Sequence, residues 1–98
     1  MTAIERLQER IRVGDGCESR HVRSVRVHEM HAGRTIWQGA VEVSELQGHR
    51  TAELAYAWSY EGDDGRPVDT VVLGVPPING PQDAVRAAAV AEHRGMKR

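Results

Sequence analysis

The chain has 98 residues, 13 basic against 14 acidic, a net charge of −1, a single cysteine and no phenylalanine. This balance excludes global steering toward nucleic acid or an anionic membrane, and the lone Cys17 excludes an internal disulfide and fits a reducing compartment. No apolar run approaches the ~18 residues of a membrane span, and MTAIERLQER carries charges where a secretory leader is apolar, so a cytoplasmic protein with no membrane partner is expected.

Residues 1–98 read as one α+β domain. A chain of this size buries roughly 60–70% of the surface that its unfolded form exposes. Ala and Val dominate the candidate core, and aromatics make up only 4% of the chain. Small side chains remove less area each, which favours extra burial through self-association.

Residues 2–13 read as an amphipathic helix. Thr2 and Glu5 fit a capping box. Ile4, Leu7 and Ile11 form the apolar stripe, Arg6, Glu9 and Arg10 take the solvent side, and Gly14-Asp15-Gly16 ends the helix. Residues 21–31 read as an edge strand, with Val25 and Val27 sharing a face with Arg23, Glu29 and His31. After the turn Ala32-Gly33-Arg34, residues 35–46 form a second strand with Trp37, Gly39, Val41 and Val43 on one face. A bulge at Gly39 would shift that parity by one. Residues 50–60 form the third strand. There Leu54, Tyr56, Trp58 and Tyr60 line one face, and Glu53, Ala55, Ala57 and Ser59 the other. The loop 62–66 leads through Pro67 to a fourth strand, 68–75, apolar on both faces and so interior or doubly covered.

Pro76 ends that strand. Pro81, with Gly80 or Asn79 as cap, opens the strongest helix, residues 81–93, whose face is Ala84, Val85, Ala88, Ala89 and Glu92. The tail frays from about residue 94. The fold class is therefore α+β: a four-stranded antiparallel meander flanked by an N-terminal and a C-terminal helix, α-β-β-β-β-α, with both helices on one face. The C-terminal helix is expected on the small Ala55/Ala57 face. The aromatic face is then left for the N-terminal helix, a second copy or a ligand.

The function expected from this pattern is a small non-enzymatic binding or accessory module. It self-associates as a homodimer through the aromatic face, with a partner protein as a further occupant and Trp37, Tyr56, Trp58, Tyr60, Arg23 and Arg26 as binding residues. The second reading is single-stranded nucleic acid stacked on those rings beside Arg23 and Arg26. The Lys/Arg-Gly start of an RNA-recognition motif is absent, and the charge balance disfavours this partner. The helix–sheet–helix order resembles double-stranded RNA-binding domains. Their lysine cluster at the start of the last helix is replaced here by Pro81-Gln82-Asp83, which repels phosphate.

The third reading is a metal or small-molecule site built from His28, His31 and His49. His28 and His31 are three apart on a strand and point to opposite faces, whereas the HExxH zinc motif needs four on a helix. Cys17 stands beside Glu18, which disfavours a thiolate nucleophile. Asp63 and Asp64 are turn residues without EF-hand spacing. No cofactor and no metal are expected.

Overall fold

The computed structural model describes residues 2–96, with side chains described as far as Ala91. Its elements are α1 (Ala3–Asp15), β1 (Glu18–His31), β2 (Arg34–Gln47), β3 (Leu54–Glu61), β4 (Pro67–Leu73) and α2 (Pro81–Met96). The strands form one antiparallel sheet in chain order, β1-β2-β3-β4. This is the α-β-β-β-β-α meander read from the sequence. Several bounds differ: β1 starts at Glu18 and β3 at Leu54, β4 stops at Leu73, and α2 continues to Met96. Of the tail expected to fray, Lys97 and Arg98 lie outside the described residues. The third strand starts late because His49 turns the chain. Its Nδ1 accepts the backbone N–H groups of Thr51 (3.2 Å) and Ala52 (3.0 Å).

The capping box of α1 is present: the Thr2 hydroxyl accepts from the Glu5 N–H and the Glu5 carboxylate from the Thr2 N–H. Gly16 closes the helix in the left-handed conformation, φ 69°, with its N–H on the Arg12 carbonyl. At the start of α2 the Gly80 carbonyl accepts from Ala84, and Asp83 reaches back to the Asn79 N–H.

The third strand alternates as expected, and its two faces carry two separate cores. Tyr56 and Trp58 pack with Val27, Val41, Val43, Ala84 and Val85. Ala55 packs with Ile11 and Cys17, flanked by Leu46, Val71 and Leu73. The helices therefore cover opposite faces, α2 the aromatic one and α1 the small one. This corrects the expectation of both helices on one face and of α2 on Ala55/Ala57. The reason is complementarity of size: Ala84 and Ala88 leave room for the rings, and Ile11 fills the space above Ala55. Arg6, expected in solvent, turns onto the sheet instead. Its Nε donates to both Asp69 oxygens (2.9 and 3.2 Å) and its Nη2 to the Ser59 hydroxyl (3.0 Å).

β4 is an edge strand rather than an interior one, but it is covered on both faces: Val72 belongs to the α2 side, Val71 and Leu73 to the α1 side. β1 is the other edge, as expected. The sheet has register shifts between His21 and Arg23 and between Glu29 and Met30. Gly39 stays in regular register opposite Val27, so it is no bulge and the parity of Trp37 to Val43 holds. Among the described residues, no helix is long and apolar enough to cross a membrane.

Candidate binding cleft

β1 and β2 are each 14 residues long, whereas β3 has 8. Pairing of β2 with β3 runs only from Glu45↔Leu54 to Glu42↔Ala57. Beyond Ala57, β3 pairs with β4 alone, through Trp58↔Thr70 and Tyr60↔Val68. The early part of β2 and the late part of β3 thus part company, and on the α2 face their side chains line an open cleft of about 420 Å³. Ile36 and Trp37 of β2 form one wall, Trp58, Tyr60 and Thr70 the other, and Val85, Ala88 and Ala89 of α2 the third.

The second register shift leaves Ile36 outside the ladder, where it is 49% exposed at the cleft. Trp37 folds back over Gly39, and a Cβ at that glycine would lie 2.8 Å from Trp37 Cζ2. The Trp37 ring also meets Trp58, centroids 5.8 Å apart and planes tilted by 47°. Behind the cleft, Glu29 anchors α2 to β1. Its carboxylate accepts from the Gln82 amide and from Arg86 Nε (3.2 Å), and Gln82 also donates to the His28 carbonyl (3.2 Å). Burial works against the Glu29 charge, but these two donors and the nearby His31 outweigh it and hold its pKa below the ordinary carboxylate value.

Trp37, Tyr56, Trp58 and Tyr60 all face α2. Tyr56 and Trp58 are buried within the monomer, and Trp37 and Tyr60 remain half-buried. The two arginines are separated: Arg23 pairs with Val43 on the α2 side, and Arg26 pairs with Ala40 on the other face. The histidines are dispersed as well. His28 bonds the Thr35 hydroxyl at 2.8 Å, His31 is exposed at the hairpin end, His49 caps its turn, and His21 bonds Glu42 at 2.8 Å. The side chain of His93 lies outside the described residues. Among the described residues, no three of His, Cys, Asp and Glu are grouped to hold a metal ion. Cys17 is buried in the α1 core. Burial, then the charges of Asp15 and Glu18, push its thiol pKa up, away from a reactive thiolate. Asp64 accepts the Arg66 N–H at 3.0 Å, as a turn residue does.

Reading the sequence missed Ile36, Thr70 and the use of Ala88 and Ala89 as a cleft wall. The signal was in the helix: an alanine stripe facing rings leaves space that a leucine stripe would fill. In comparison with known proteins, the chain matches no family model, no curated protein and no solved structure.

Proposed function

We propose that the chain is a small binding module, without a catalytic step of its own, that acts through the cleft between α2 and the parted strands. The observation that carries this reading is a concave space of about 420 Å³ walled by three aromatic side chains and no charged one. Concave, mostly apolar sites with few polar groups are the common form of binding sites. A second reading, self-association through the same opening, is favoured by the exposure of Ile36 (49%) and of Val68 (37%), the cross-strand partner of Tyr60.

One experiment tests both. Trp58→Phe leaves Trp37 as the single indole. Acrylamide should quench its emission, and the added substitution Ala89→Leu should reduce that quenching by filling the cleft. An indole closed to acrylamide would end the reading of an open binding cleft. Light scattering over about a tenfold concentration range decides on the second copy. A dimer that Ile36→Ser dissociates establishes self-association through this opening, and a constant monomer mass excludes it.

A further inference from the structure

We propose that the occupant of the cleft is a neutral, planar molecule of two to three fused rings carrying a hydrogen-bond acceptor; this rests on the cleft being the binding surface. Size sets the ring count. A cavity of about 150 Å³ holds one benzene ring, so about 420 Å³ takes two to three rings. Electrostatics sets the charge. The lining contains no Asp, Glu, Lys, Arg or His, so an ion entering here would give up part of its hydration with no opposite charge to offset the loss. Arg86 of α2 is paired with Glu29 and is not among the residues lining the cleft.

Flatness follows from the walls. The half-buried rings of Trp37, which is tilted against the buried Trp58, and of Tyr60 give the cleft its aromatic surface, and the alanines of α2 give the opposite side. The acceptor follows from the hydrogen-bonding inventory. The indole N–H groups of Trp37 and Trp58 only donate, and the hydroxyls of Tyr60 and Thr70 are able to donate. Among the described residues none of the four is a sealed donor left without a partner, so they are open to solvent or to a ligand.

The test uses two fluorescent probes with the whole chain. Prodan is a neutral naphthalene with a ketone acceptor; 8-anilinonaphthalene-1-sulfonate has similar rings and a fixed negative charge. Prodan should bind one per chain with blue-shifted emission, at least about tenfold tighter than the sulfonate. Ala88→Leu and Ala89→Leu, each checked by circular dichroism, should weaken it about tenfold by occupying the space. Thr70→Val should weaken it several-fold by removing a donor. Equal binding of the sulfonate, indifference to both leucine variants, or no prodan binding at ~100 µM protein would overturn the proposal. An unchanged affinity in Thr70→Val would overturn Thr70 as the donor to that acceptor. If acrylamide reaches Trp37 but prodan does not bind, the binding module survives and this ligand class does not.

Discussion

Gly39 is small because Trp37 lies where its side chain would be. The indole covers the glycine so closely that an added methyl would sit 2.8 Å from Cζ2 and 3.0 Å from Cη2. These ring atoms are carried by a stiff side chain packed on Trp58, not by a mobile tip. Gly39→Ala must therefore displace the ring or the strand, and overpacking of this kind costs about 1–3 kcal/mol. A lowered urea midpoint together with a changed near-ultraviolet circular dichroism spectrum is the expected result; a spectrum and midpoint like those of the parent chain would show that the ring does not rest there. The sequence offered this glycine as a bulge, because a glycine inside a strand pattern commonly marks one. It equally marks a close approach, and only the side-chain direction of Trp37 separates the two.

Among the described residues, each helix is held to its face of the sheet by one arginine–carboxylate contact as well as by its apolar stripe. α1 uses Arg6 on Asp69, and α2 uses Arg86, with Gln82, on Glu29. The Arg6 hydrogen bond is the chief cause that lowers the Asp69 pKa, opposed by burial and helped by Ser59. Glu29 is lowered too, against its burial. The sign follows from linkage. Carboxylates with depressed folded pKa values contribute stability above their unfolded values of about 4, and that contribution is lost as pH falls through the lower folded values. The urea midpoint of the parent chain should fall steeply below about pH 4, and Asp69→Asn and Glu29→Gln should each flatten that fall while lowering the midpoint near pH 7. Amide exchange assigns the effect to its element: Glu29→Gln should speed exchange in α2 and leave α1 protected, and Asp69→Asn the reverse. Equal acid slopes in all three chains would rule out these contacts as the source. Neither contact was legible in the sequence, since Arg6 lies 63 positions from Asp69 and helical period alone had placed it in solvent.

At the scale of the molecule, one sheet separates two cores, Tyr56 and Trp58 with α2 on one side and Ala55 with α1 on the other. Ile11 and Val85 are both nearly sealed from solvent, yet they belong to different cores. Ile11→Val should cost about 0.5–1.5 kcal/mol, and together with Val85→Ala the costs should add to within about 0.5 kcal/mol. Urea denaturation of the two single variants and the double variant checks this, and a larger coupling would mean that the sheet transmits packing between its faces. The strand order and the alternation of β3 were legible because period two and the ring spacing are local properties. The coverage of the faces was not, because it depends on matching large residues with small ones across layers. The cleft depends on where β2 leaves β3, a length mismatch between elements that local pattern does not carry. The chain-order sheet has a kinetic side too. β1 meets β2 across Ala32-Gly33, and β3 meets β4 across a loop from Gly62 to Arg66. Each pairing closes a short loop at small entropic cost, with no crossover to wait for, so the meander is a topology in which assembly proceeds from neighbour to neighbour.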